Sequence, residues 1–348
     1  MFTMSAFSQP EEVKSILPKM VHANQTTPYE GDCITQVDST RIWQKIYQDA
    51  SGRRLVQFIL PFSLLGKEII EIPPYIFIRK KKGQKFRKRM NLFHEKIFSH
   101  AIADSQMELI FKNYDAVAHP SASFLGRKTI LLSFIPKVKN RPSIRILLDR
   151  NTFFLLKLEK ISPDGKLLQQ SYFKNLLFDP VLDPVLFTIL PDQIDSTQAG
   201  TSKNFTSVDS LQKALSFSLL LPDWIPEGFR LQASRLLRFR KKEFAQLIFS
   251  DGLSTLSLFE KKTRRRPSKK RGPAASVHMG VLEMRQNFGR TSVILFGDIT
   301  KRALEKMMGS FEQPKLDAKS SRNLIIFVGL LIVALIMMVQ LMSRKERR

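Results

Sequence analysis

Cysteine is nearly absent from this chain: Cys33 is the only one. A single thiol excludes an intramolecular disulfide and does not hold a metal by itself. Cys33 follows Glu30, Gly31 and Asp32 with no apolar run before them, so it is not a lipoprotein cleavage box. Histidine is sparse too. His22, His94, His100, His119 and His278 are scattered. His94 and His100 lie six apart, off the i, i+4 spacing that puts two ligands on one helix face. No G-x-S-x-G elbow, phosphate-binding loop or dinucleotide fingerprint occurs. These shortages point away from an enzyme and give no sign of a metal or cofactor.

Acidic residues are the next shortage. Lys and Arg total 56 against 31 Asp and Glu, a net charge of +25. A field of that sign attracts phospholipid headgroups, lipopolysaccharide phosphates, nucleic acid or acidic protein segments. Nucleic acid is the minor alternative, because zinc-finger spacing, an aromatic-basic RNP-like strand and a clear helix-turn-helix are all missing. The excess gathers in two runs. Arg79, Lys80 and Lys81, with Arg87 and Lys88, flank Gly83 at an expected turn; Arg264, Arg265 and Arg266 lie in a later loop. Both runs are candidate anion-partner sites, and a solvated loop explains each as readily.

Long apolar runs are missing except for one, Leu324 to Met342, which carries no charge. Its nineteen residues span nearly 30 Å at about 1.5 Å each, the thickness of a bilayer core. The run predicts a transmembrane helix over 324–342 and a single-pass protein. Basic residues flank both sides, Lys315 to Arg322 and Arg344 to Arg348, so orientation is weakly set. Met1 to Lys19 holds Glu11, Glu12 and Lys14 and has no continuous apolar stretch, so it is not a secretory signal peptide. That suits a tail anchor with a cytoplasmic domain, and equally a chain whose start lies upstream.

What is present in quantity is strand-like sequence. The expected class is α+β, mostly antiparallel β. Residues 1–38 look irregular, with Pro10, Pro18 and Pro28 and one short helix near Glu11–Leu17. Over 39–190, short apolar runs alternate with turn signals such as Asp49-Ala50-Ser51-Gly52 and Pro163-Asp164-Gly165, which predicts hairpins. Helical spacing over Phe93 to Phe111 predicts a covering helix. Residues 191–214 are polar and are expected to be a linker. A second domain over 215–313 shows strands around Ser250-Asp251-Gly252 and Gly289, then a helix capped by Thr300.

The first domain carries Gly126-Arg127, then Leu148-Asp149-Arg150, Leu155-Leu156-Lys157 and Asp164-Gly165-Lys166. The second carries Pro226-Glu227-Gly228-Phe229, Ser250-Asp251-Gly252-Leu253-Ser254 and Gly297-Asp298-Ile299. In this order they resemble the RseB/MucB family of sigma-E regulators over roughly residues 41–312. The first set alone also looks like LolA-type lipoprotein carriers. The resemblance implies an unclosed, LolA-like β-barrel followed by a smaller α+β sheet domain. It implies a periplasmic protein that binds a membrane-bound anti-sigma factor, with lipid or lipopolysaccharide as modulator. Family members are typically soluble with a cleavable signal; this chain shows an expected anchor and no signal. A tethered lipid or lipoprotein carrier is the second reading. A half-barrel that holds acyl chains needs apolar residues on its concave face. Phe58, Ile76, Phe77, Phe134, Ile146, Phe153 and Phe173 are the candidates, although filling a core is the commoner role for any one of them.

Overall fold

The structure is a computed structural model. It describes residues 10–37, 39–73, 75–81, 83–90, 104–139, 141–195, 200–239, 242–263, 274–278, 281–297 and 299–311. The expected membrane helix over 324–342 and the run Arg264, Arg265 and Arg266 lie outside the described residues. Among the described residues, no helix is long and apolar enough to cross a membrane.

The chain opens with α1 (Pro10–Thr26), followed by β1 (Tyr29–Val37), β2 (Thr40–Gln48), β3 (Arg54–Leu60), β4 (Glu68–Ile72), β5 (Tyr75–Arg79) and β6 (Phe86–Met90). Helix α2 (Asp104–Asn113) leads into β7 (Tyr114–Phe124), β8 (Arg127–Pro136), β9 (Ser143–Asp149), β10 (Leu155–Ile161), β11 (Leu167–Phe178) and the short β12 (Ile194–Asp195). These strands form one sheet in the order β12-β6-β5-β4-β3-β2-β1-β11-β10-β9-β8-β7. Every pair is antiparallel except β12 with β6. Among the described residues the ends, β12 and β7, do not pair, and the sheet is unclosed.

The short helix expected near Glu11–Leu17 is present and runs on to Thr26, and the irregular segment expected after it is corrected to strand β1. Helix α1 is seventeen residues long, and β1 is an interior strand between β11 and β2. Val13, Ile16, Leu17, Met20 and Val21 recur at i, i+3, i+4, i+7 and i+8, and all five are buried. Pro10 opens the helix, where its missing N–H costs nothing, and Glu11 and Glu12 complement the positive end of the dipole. Pro18 lies inside, a position where helices usually break. Burial of the apolar stripe against the sheet outweighs that local penalty. The covering helix expected over Phe93 to Phe111 is found as α2, from Asp104; its first part lies outside the described residues.

The second sheet contains β13 (Gly200–Phe205), β14 (Arg230–Phe239), β15 (Lys242–Ser250), β16 (Thr255–Lys262), β17 (Ala274–His278), β18 (Val281–Phe288) and β19 (Thr291–Gly297), in the order β13-β14-β15-β16-β19-β18-β17. Helices α3 (Val208–Ala214) and α4 (Lys301–Gly309) supply Leu211, Leu304, Met307 and Met308 to its core. Within the expected linker 191–214, residues 200–205 pair with β14 and α3 packs Leu211 into this sheet's core. The polar composition that suggested it comes from an edge strand and from the cap of α3, where Ser207 and Ser210 bond each other's backbone.

Candidate functional site

The two sheets are joined by the turn between β15 and β16, residues 250–254. Asp251 is fully buried and organises it. Its Oδ1 accepts the backbone N–H groups of Leu253 at 3.0 Å and Ser254 at 2.7 Å. The Ser250 hydroxyl accepts from the N–H of Gly252 and donates to the carbonyl of Ser254. The turn is thus shaped by its own side chains before it meets anything else.

What it meets is the first domain. The Tyr114 hydroxyl donates to Asp251 Oδ2 at 2.7 Å, and the Arg141 guanidinium pairs with the same oxygen. Asn113 Nδ2 donates to the Asp251 carbonyl at 2.9 Å and to the Gly228 carbonyl at 3.0 Å. Gln106 Nε2 donates to the Gly252 carbonyl at 3.2 Å. Gly252 has φ of +101°, and a Cβ there would come within 2.7 Å of the Ile110 backbone nitrogen. Only glycine allows both that conformation and that approach. The next residue, Leu253, is fully buried in the core of the first domain, beside α1. The Arg141 guanidinium also lies 5.1 Å from the Phe229 ring. Burial raises the pKa of the Tyr114 phenol, and the Asp251 charge raises it further, so Tyr114 stays a donor. The joint is a buried, charge-assisted clamp.

Sequence reasoning identified Ser250-Asp251-Gly252 as a hairpin turn and as part of a family motif, and missed its partners Asn113, Tyr114 and Arg141. Asp251 is separated from Arg141 by 110 positions, and no local pattern reports such a contact.

The candidate lipid-cavity residues do not share one cavity. Phe134 and Ile146 are fully buried beneath α1, with Phe153 against the same cluster. Phe58 and Phe173 pack with Tyr29, Phe154 and Leu156. Phe77 lies in a third cluster with Leu55, Ile70, Phe86 and Phe187; Ile76 is buried as well. Two open grooves flank α1, of about 560 Å³ and 550 Å³. The first is lined by Pro18, Lys19, His22 and Phe153, the second by Lys14, Met107 and Phe111. Phe153 lines the first of these grooves.

The basic candidates separate by partner. Arg79 pairs with Glu68 and stacks 4.5 Å from the Phe86 ring; Lys88 lies 3.8 Å from the Tyr75 ring. Lys80, Lys81 and Arg87 are exposed. Among the described residues there is no group of three or more His, Cys, Asp or Glu placed to hold a metal.

The elements therefore define a class: a two-domain, mostly antiparallel β protein whose domains are clamped through a buried turn. Residues 12–197, more than half of the chain, match the MucB/RseB N-terminal domain, and the chain belongs to the MucB/RseB family. Solved structures agree on the fold. MucB in complex with MucA(peri) is 17% identical, with a TM-score of 0.56 over 86% of this chain and 98% of that one. The Pseudomonas aeruginosa MucA/MucB complex gives 17%, 0.59, 87% and 99%. MucB alone gives 16%, 0.57, 86% and 98%. No curated protein sequence matches the chain.

Proposed function

We propose that this chain is a membrane-anchored regulatory binding protein of the envelope-stress type. It holds the extracytoplasmic part of a single-pass anti-sigma factor or similar membrane protein, and residues 324–342 tether it to the bilayer. The observation that carries this reading is the likeness in both sheets to MucB, which is described bound to MucA. The physics agrees with binding. Among the described residues β7 and β17 are the last strands of their sheets, and a sheet edge is where an added strand can pair. The clamp keeps the two sheets in one arrangement, so a partner seated across both does not have to order them first.

Lipid enters this reading as a modulator. Val13, Leu17 and Met20 of α1 pack onto Leu132, Phe134 and Ile146 of the first sheet. An acyl chain would enter beside α1, near Phe153, or displace the helix. A tethered carrier needs an open cavity of its own, so it is the weaker reading.

Affinity purification of the full chain from detergent-solubilised membranes tests the proposal. The expected result is co-recovery of a single-pass anti-sigma factor at near-equal stoichiometry, weakened by Asp251→Ala. Recovery of stoichiometric acyl lipid without protein would instead establish the carrier. A reporter fused after Arg348 tests the facing: the large domain is expected outside the cytoplasm, and a large domain inside it would end the envelope-stress reading.

A further inference from the structure

The turn between β3 and β4 projects apolar side chains into solvent. Phe62 is 86% exposed, Leu65 50% and Leu60 41%. An aromatic ring so exposed on a loose loop would mean little, but this turn is ordered by its own backbone. Leu64 N donates to the Pro61 carbonyl at 2.8 Å, Leu65 N to the Phe62 carbonyl at 3.2 Å and Lys67 N to the Leu64 carbonyl at 3.0 Å. Two further bonds close the base: Gly66 N donates to the Phe58 carbonyl, and Phe58 N donates to the Lys67 carbonyl. The donors of residues 64–67 are therefore satisfied internally. Each donor so satisfied lowers the cost of moving that stretch of backbone into a medium poorer in water.

The neighbouring tip is basic. Strand β4 pairs with β5, Glu68 opposite Arg79, so the turn after β5 lies at the same end of the sheet as the turn before β4. That second turn exposes Lys80, Lys81 and Lys85. Glu68, the acid at this end of β4, is buried and paired with Arg79. The end of the sheet thus offers an apolar tip beside an excess of positive charge.

We propose that these two turns form a docking tip for an anionic bilayer surface: Phe62 and Leu65 enter the headgroup–acyl boundary, and Lys80, Lys81 and Lys85 meet lipid phosphates. A protein partner fits the observations less well. A few side chains projecting from one turn fall far short of the roughly 800 Å² per side that stable protein interfaces bury. Small apolar insertions supported by lysines are what a headgroup layer accepts. The tip is separate from the clamp and needs no anti-sigma factor. It shares with the proposed function only the setting beside a membrane.

The test uses the full chain carrying F62W, reconstituted in phosphatidylcholine vesicles with or without phosphatidylglycerol and with or without brominated acyl chains. The unsubstituted chain, which retains Trp43 and Trp224, is the reference. Brominated lipid is expected to quench the indole introduced by F62W in anionic vesicles. In neutral vesicles, or in F62W combined with K80E and K81E, the quenching is expected to fall about tenfold. At 86% exposure the ring supports no packing, so the variant keeps the fold. Equal fluorescence in brominated and plain anionic vesicles overturns the proposal. So does an indole shielded only when a purified partner protein is added. Partner binding in detergent, without vesicles, is measured separately, so loss of docking and loss of the proposed function are told apart.

Discussion

The first sheet divides its core into three apolar clusters, whereas the second gathers its own into one. Twelve strands make a surface too long for one helix. Helix α1 covers one part, the aromatic group Tyr29, Phe154 and Phe173 fills another, and Phe187 from the segment after β11 seals a third. The first of these clusters is completed by Leu253, which comes from the second domain. Among the described residues the second sheet's cluster draws nothing from the first domain, and this sheet buries a carboxyl whose pKa is raised. Glu260 is 1% exposed; burial raises its pKa to about 8, against the backbone hydrogen bond that it accepts from Leu220. The comparison teaches that the core of the first sheet carries the coupling between domains, and that the second sheet holds a carboxyl whose pKa burial raises.

Asp251→Ala breaks the coupling most severely. It leaves the Arg141 guanidinium buried without its carboxylate, a loss of about 3–5 kcal/mol. Denaturant unfolding is expected to separate into two transitions, and one unshifted transition would refute the clamp. Leu253→Ala sharpens the point, at about 3 kcal/mol for a fully buried leucine. Although Leu253 follows β15, amide exchange is expected to rise in α1 and β9 more than in β16. The reverse pattern would show that the second sheet owns this residue.

Glu260 tests the other half of the comparison. A carboxyl whose pKa is raised on folding stabilises the protein fully below the unfolded value of 4.5, and the contribution is lost as pH rises to about 8. Between those values the slope is about 1.4 kcal/mol of stability lost per pH unit. Glu260→Gln is expected to flatten it, and an unchanged profile would place the titration elsewhere. The smallest effect is local. Thr300→Ala removes the side-chain cap that accepts the N–H of Ala303, at a cost of about 1 kcal/mol, with no change in exchange within the first sheet.

Where a signal was local, the sequence carried it. Asp164-Gly165 and Ser250-Asp251-Gly252 turn the chain as their residue types require, and Ile144, Ile146 and Leu148 face inward at period two. The motif Leu148-Asp149-Arg150 also has a local meaning: Asp149 accepts the N–H groups of Asn151 and Thr152 and pairs with Arg127. Of helix α1 only the part near Glu11–Leu17 was legible; its continuation to Thr26 was hidden, because Pro18 signals a break and only the sheet beneath makes the full stripe worth forming. Strand β1 was hidden by Gly31, Asp32 and Cys33, which weaken the pattern of what proves to be an interior strand.

The sequence by itself determined the hairpins, their order, the caps and the excess of positive charge, because each depends on neighbours a few residues apart or on composition alone. Only the tertiary structure decided that Asp251 meets Arg141 and Tyr114, that Leu253 serves the other domain's core, and that Phe62 and Lys80 share one end of a sheet. Asp251 lies 110 and 137 positions from its two partners, and the energy of such contacts appears only after the chain has closed the loops between them.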